Sequence, residues 1–108
     1  MNQIQLLIHC LGINATYRGY HYLSYALELV FRDEDILLGI GKSLYPPIAK
    51  KYNATPSSVE RNLRTVITLC WEHGNRKFLN SISAYPLCHK PSIGEFIDIL
   101  VMYLKISH

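Results

Sequence analysis

The chain has 108 residues, about half of them apolar, which is enough for one domain with its own core and leaves little room for a second. Only 18% of the residues are charged, which excludes an intrinsically disordered composition. No apolar run approaches the roughly 20 residues that span a bilayer, and no signal peptide is recognisable, so we expect a cytoplasmic protein.

The net charge of +3 is unevenly distributed along the chain. Residues 36–71 contain five lysines and arginines against a single carboxylate, Glu60, whereas residues 1–35 carry a small acidic excess. A basic middle third indicates a polyanionic partner, although a solvated basic surface would have the same composition.

Apolar residues recur at helical spacing over most of the chain, and no segment alternates apolar and polar residues over the length of a strand. We therefore predict an all-α fold, a compact bundle of about six helices in a single domain over residues 1–108. The first helix is expected to end before Gly12, a typical C-terminal signal. The second is predicted from about Gly19 to Arg32, and its buried face comprises Tyr20, Leu23, Leu27, Val30 and Phe31. A third apolar face is formed by Ile36, Leu37, Ile40 and Leu44.

Pro46 and Pro47 interrupt the third pattern, because proline is tolerated in the first turn of a helix but not in its interior. A short helix is predicted to restart near Pro47 and to end at Tyr52. Thr55-Pro56 has the pattern of an N-cap followed by proline at the first helical position. The helix after it is predicted from about Ser57 to Cys70, and its inward residues are Val59, Leu63, Val66, Ile67 and Cys70 or Trp71.

Two further helices complete the predicted fold. A short amphipathic helix is expected over residues 76–82, followed by a loop over residues 83–91 that contains two prolines. Ser92 and Glu95 have the spacing of a capping box and open the last helix.

Two helices joined by a three- or four-residue turn are a candidate helix-turn-helix, which here spans approximately residues 47–73. The second helix would be the recognition helix, whose first turns reach base edges in the major groove. Arginine binds guanine bidentately and a carboxylate accepts from cytosine, so the predicted base contacts are Glu60, Arg61 and Arg64. Hydroxyls, lysines and first-turn amides suit the DNA backbone, so the predicted phosphate contacts are Lys50, Lys51, Thr55, Ser57, Ser58 and Thr65.

Glu60 has two further interpretations, because a carboxylate that faces DNA lowers affinity unless it contributes specificity. It lies three residues after Ser57, the spacing of a capping box. It also lies four residues before Arg64, the spacing of a surface ion pair.

The remaining chemical signals are weak. The three cysteines are an odd number, which favours reduced and mostly buried thiols. Cys70 with His73 and Cys88 with His89 lack the paired spacings of a structural zinc site, and a buried thiol at Cys70 is the simpler interpretation. Trp71 is expected to anchor the core rather than to stack on a base. No nucleophile–base set or glycine-rich phosphate loop stands out, so we expect no enzyme, no metal and no cofactor.

Several blocks of the sequence resemble the C-terminal effector domain of the stage-zero sporulation protein A family, the master sporulation response regulators. The resemblance covers nearly the whole chain, and its specific blocks are residues 18–23 (RGYHYL), 44–53 (LYPPIAKKYN) and 59–64 (VERNLR). It implies an all-helical domain that binds a short DNA box through its recognition helix, often at tandem sites where copies can self-associate. It also implies that Glu60, Arg61 and Arg64 occupy positions used for DNA contact, and that RNA polymerase is a partner at promoters.

The chain departs from the family pattern at three positions of the recognition helix. The family usually has a basic residue at Ser58, a histidine at Thr65 and a small apolar residue at Asn62. We therefore expect a lower affinity for DNA, a shifted box, or both. The family's effector domain normally follows a phosphoacceptor receiver domain, so the chain is expected to be either an excised effector domain or a free-standing relative.

Two hypotheses for function remain from the sequence. The first is sequence-specific binding of double-stranded DNA and regulation of transcription, in a cytoplasmic, nucleoid-associated protein. The second, motivated by Ser58 and Thr65, is a helical protein-interaction module that kept the fold and lost sequence-specific DNA recognition.

Overall fold

The computed structural model describes residues 2–107, and all of their regular structure is helical. The α-helices are α1 (Gln3–Cys10), α2 (Arg18–Arg32), α3 (Ile40–Ser43), α4 (Tyr45–Tyr52), α5 (Pro56–Glu72), α6 (Arg76–Ile82) and α7 (Ile93–Ile106). A 3-10 helix, Glu34–Leu38, lies between α2 and α3. The predicted all-α class is confirmed, with six α-helices of seven residues or more.

Helix α2 lies at the centre of the bundle, in contact with α1, α4, α5 and α7. The buried side chains of these helices form one apolar cluster, whose fully buried members include Leu23, Leu27, Leu63, Phe96 and Leu100. Because α5 packs along α2 on its apolar side, its opposite face is left exposed to solvent.

The crossing of α2 and α5 depends on Gly19, at which the two backbones approach closely. A Cβ at this position would collide with the carbonyl oxygen of Asn62 and lie 2.6 Å from Cγ1 of Val66. Only the absence of a side chain permits this distance, so Gly19 helps to set the direction of α5.

The predicted helix ends are mostly confirmed. Gly12 follows α1 with a φ of 87°, a left-handed conformation that favours glycine. Thr55 caps α5, and its hydroxyl oxygen accepts from the Ser58 N–H at 3.1 Å. Ser92 and Glu95 form the expected capping box at the start of α7, and the backbone and side-chain hydrogen bonds from Ser92 lower the pKa of Glu95.

Two predictions, one about the end of α2 and one about the segment after it, are wrong. Phe31 was expected in the core, but it is 37% exposed, and the Lys105 ammonium lies 5.5 Å from its ring centroid. The apolar face from Ile36 to Leu44 is not one helix, because the chain is extended at Gly39 (φ −160°) between the 3-10 helix and α3.

Helix α4 begins at Tyr45, two residues before the predicted start at Pro47. Both prolines therefore fall within its first turn. The N–H groups of that turn have no intrahelical acceptor, so two residues that lack an N–H cost the helix nothing there.

The prediction of mostly buried thiols is wrong for two of the three cysteines, since Cys10 and Cys88 are exposed and Cys70 alone is buried. All three are free. Burial raises the pKa of the Cys70 thiol to about 11, so at neutral pH it is an unreactive packing group.

None of the helices within residues 2–107 is long and apolar enough to cross a membrane.

Candidate nucleic-acid interface

Helices α4 and α5 pack against each other across a three-residue turn, residues 53–55. Asn53 adopts the left-handed conformation (φ 51°, ψ 49°), and the Ala54 N–H returns to the carbonyl of Ala49 at 2.9 Å. Ile48, Ala49 and Val59 are buried between the helices. The turn ends one helix and starts the next within three residues, which is consistent with a helix-turn-helix.

The first turn of α5 leaves polar groups directed away from the core. Pro56 has no N–H, and the Ser58 N–H is used by the Thr55 cap. The Ser57 N–H has no acceptor within residues 2–107, so it can donate to an external oxygen. The Thr55 and Ser58 oxygens accept hydrogen bonds and keep their own hydroxyl hydrogens free to donate. The arrangement suits a phosphate at this turn.

Glu60 makes the ion pair with Arg64 that its spacing allowed, with Oε2 2.8 Å from the Arg64 guanidinium. The pair raises the pKa of Arg64.

The alternative, a capping box of Glu60 with Ser57, is wrong, because Thr55 is the N-cap and Ser57 already lies inside the helix. Within residues 2–107, Glu60 therefore pairs with Arg64 alone. The contact is a surface pair, with 65% of the Arg64 side chain and 39% of the Glu60 side chain exposed. Its net stabilisation is therefore small, and its effect is to orient Arg64.

Arg61 is the exposed arginine of α5 without an ion-pair partner in the described chain. It lies on the solvent face of the helix, next to the Glu60–Arg64 pair. Its guanidinium has all five N–H groups available for an external acceptor.

The three positions that depart from the family pattern bind back onto α5 itself. The Asn62 amide donates to the Ser58 carbonyl at 2.8 Å and to its hydroxyl oxygen at 3.4 Å. The Thr65 hydroxyl donates to the Arg61 carbonyl at 3.0 Å. Thr65 would have to give up this bond before it could donate to a phosphate.

The two lysines of α4 differ in their surroundings. Lys50 is exposed and has no ion-pair partner in residues 2–107. The ammonium of Lys51 lies 4.5 Å from the Tyr25 ring centroid on α2 and 5.8 Å from that of Tyr52. Cation–π attraction holds Lys51 against α2, so Lys50 is the freer of the two charges.

The structure also brings to α5 a lysine that sequence analysis did not select. Lys90, in the loop before α7, donates from Nζ to the Thr68 hydroxyl oxygen at 3.0 Å. It shares a groove of about 70 Å³ with Arg64, and the other lining residues are Ile67, Pro91, Ser92 and Ile93. Because 22 residues separate Lys90 from Thr68, no local pattern could have revealed the contact.

Trp71 is half-buried and packs against the core from the end of α5. The Arg76 guanidinium lies 4.1 Å from its ring centroid and donates from Nε to the Trp71 carbonyl at 2.8 Å. Its ring face is therefore occupied by an arginine of the same chain.

The cysteine and histidine pairs do not assemble into a metal site in the described part of the chain. No group of three or more histidine, cysteine or acidic side chains is close enough there to hold an ion.

The structure defines the class of all-helical domains in which two packed helices, joined by a short turn, present a polar and basic helix face to solvent. Residues 4–104 match the family model described as "Sporulation initiation factor Spo0A C terminal". Because this match covers nearly the whole chain, the protein belongs to that family. The family is one of DNA-binding domains that regulate transcription in sporulation, and it is not an enzyme family.

Proposed function

We propose that the chain binds double-stranded DNA sequence-specifically through the exposed face of α5. The observation that carries this proposal is the arrangement of Arg61 and Arg64. One guanidinium is unpaired, and the other is oriented by Glu60, on the solvent face of a helix that follows a short turn. Arginine pairs bidentately with guanine, so two exposed arginines on the first turns of a recognition helix can read base edges.

In this proposal the backbone contacts surround the base contacts. Thr55, Ser57 and Ser58 bind a phosphate at the start of α5 with two hydroxyls and one free amide. Lys50 contacts a phosphate from α4. Lys51 and Thr65 are proposed as further contacts, but each first has to leave a partner within the protein. The loss of these internal contacts on binding agrees with the expectation of a lower affinity for DNA than the family pattern implies, a different preferred DNA sequence, or both.

The test compares two duplexes, one with a preferred box and one of shuffled sequence, over a range of salt concentrations. A binder that neutralises several phosphates loses affinity steeply with salt, with a log–log slope of about −0.9 per phosphate. We expect such a slope on both duplexes and tighter binding to the box. A flat salt dependence and equal affinities would support the protein-interaction module instead.

Lys50→Ala is expected to weaken binding to every duplex by the same factor and to reduce the salt slope by about one, because one phosphate contact is lost. Fluorescence anisotropy titrations at several salt concentrations measure both quantities. Lys105→Ala is the matched control, since Lys105 lies at the far end of α7 and pairs with Glu34 at 3.2 Å. A change in base preference in Lys50→Ala would contradict a phosphate contact.

Glu60→Ala tests whether the carboxylate contributes to base choice. The variant frees Arg64 from its 2.8 Å partner and removes the acceptor proposed for cytosine. We expect a changed base preference at one position of the box, with the melting temperature almost unaltered because the ion pair is exposed. An unchanged preference would limit Glu60 to the surface ion pair.

RNA polymerase and a second copy on a tandem site are proposed as protein partners, for which the family resemblance is the main support. Exposed apolar side chains are available away from α5. Leu38, at the end of the 3-10 helix, is 87% exposed, and Ile106, at the end of α7, is 75% exposed. The Glu34–Lys105 ion pair joins these two elements. Localisation at the nucleoid follows if DNA binding is confirmed.

A further inference from the structure

We propose that Lys90, held against Thr68 of α5, forms a second phosphate-binding site that binds a DNA backbone phosphate beside the bases that α5 reads. This inference rests on the proposed function, because the phosphate belongs to the duplex that α5 reads. It adds to the interface a residue from outside the helix-turn-helix, in the loop that precedes α7.

The position of Lys90 is fixed by Thr68. The ammonium donates one hydrogen bond to the Thr68 hydroxyl oxygen at 3.0 Å and keeps two N–H groups for another acceptor. Lys90 is itself exposed, and it has no carboxylate partner within residues 2–107. The hydrogen bond therefore positions a positive charge on the α5 surface without neutralising it.

The groove beside this lysine is suited to an anion. Arg64 and Lys90 both line it, and it has a volume of about 70 Å³. Arg64, which bonds Glu60 at 2.8 Å, contributes a second positive charge to the wall of this groove. None of the described residues that line the groove is acidic.

The distance along α5 places Lys90 at the edge of the DNA major groove rather than at its centre. Thr68 lies seven residues after Arg61, which corresponds to about 10 Å along the helix axis. The major groove is about 12 Å wide, so a helix that reads bases near Arg61 carries Thr68 and Lys90 towards the bordering phosphates. A lysine there contributes a sequence-independent contact that fixes the helix in register.

The first experiment measures salt-dependent DNA binding by the Lys90→Met variant, which keeps the aliphatic stem and loses the charge. We expect weaker binding to all duplexes and a salt slope smaller by about one. Lys90→Arg should restore the slope because it keeps the charge. Lys105→Ala is again the control, because Lys105 lies at the opposite end of α7 from Lys90, roughly 20 Å away. The salt slope of this variant should equal that of the wild type.

The second experiment locates the phosphate. Each phosphate of the box is replaced in turn by an uncharged methylphosphonate, and the affinity of the wild type and of Lys90→Met is measured on each duplex. We expect one position at which the replacement weakens the wild type several-fold and leaves Lys90→Met unaffected. If every position affected both proteins equally, Lys90 would contact no phosphate.

A purely structural role for Lys90 gives a different result. Thr68→Val and Lys90→Met would then lower the melting temperature alike and leave the salt slope unchanged, which would overturn the inference while the proposed function stood. A wild-type chain that binds no duplex would overturn the proposed function, and the inference with it.

Discussion

Arg61→Ala is expected to lower the affinity for the preferred duplex by about 5- to 150-fold, equivalent to about 1–3 kcal/mol, and to relax base choice at one position. The reason is the environment of Arg61, an exposed guanidinium without an ion-pair partner in the described chain, on the face of α5 that is directed away from the core. Because the side chain is not part of the core, the fold should not change. Titrations on a panel of single-base variants of the box measure the effect.

Arg32→Ala is the matched control for this prediction. Arg32 is an exposed arginine at the last position of α2, whereas Gly19, where α2 crosses α5 closely, lies near the start of α2. The thirteen positions from Gly19 to Arg32 correspond to roughly 20 Å along the axis of α2. The control should bind the box like the wild type. A uniform loss of affinity on all sequences in Arg61→Ala would assign Arg61 to a phosphate and contradict base recognition.

Gly19→Ala is expected to destabilise the fold by about 1–3 kcal/mol or more, since a single methyl group is forced into the crossing of two helices. The colliding atom is the Asn62 carbonyl oxygen, which belongs to the backbone of α5 and cannot move without shifting the helix. For a domain of about this size each kcal/mol lowers the melting temperature by roughly 4–8 °C, so thermal denaturation followed by circular dichroism should show a clear decrease.

Gly94→Ala provides the opposite case within the same chain. Gly94 lies in the first turn of α7, and a Cβ there would meet no atom within 4 Å. Alanine is the better helix former by about 0.5–1 kcal/mol, so this variant should be as stable as the wild type or slightly more stable. If Gly19→Ala melted at the wild-type temperature, the close crossing of α2 and α5 would not be a constraint on the fold.

Local signals in the sequence predicted most of the helices. Periodic apolar residues gave α1, α2, α5 and α7, and the caps at Thr55 and Ser92 marked two helix starts, because these signals act within four residues of the chain. Phe31 was assigned wrongly because its spacing fits the buried face of α2, whereas exposure at the last turn depends on which elements pack there. The break at Gly39 was also missed, since glycine was compatible with a continuous helix in the pattern.

Sequence analysis predicted only those contacts of the candidate site that join residues close together in the chain. The Glu60–Arg64 pair follows from a spacing of four residues on one helix, and the structure contains it. The cation–π contacts of Lys51 with Tyr25 and the bond between Lys90 and Thr68 join residues far apart in sequence. Such contacts depend on the packing of α2, α5 and α7, which periodicity does not specify.

Selection from randomised DNA duplexes at near-physiological salt, with the wild type and Arg61→Ala in parallel, tests the central claim most directly. We predict that the wild type enriches one short box and that Arg61→Ala loses the preference at one or more positions of that box while keeping salt-sensitive binding. Enrichment of no sequence by the wild type, with only weak salt-dependent binding, would contradict sequence-specific recognition by α5.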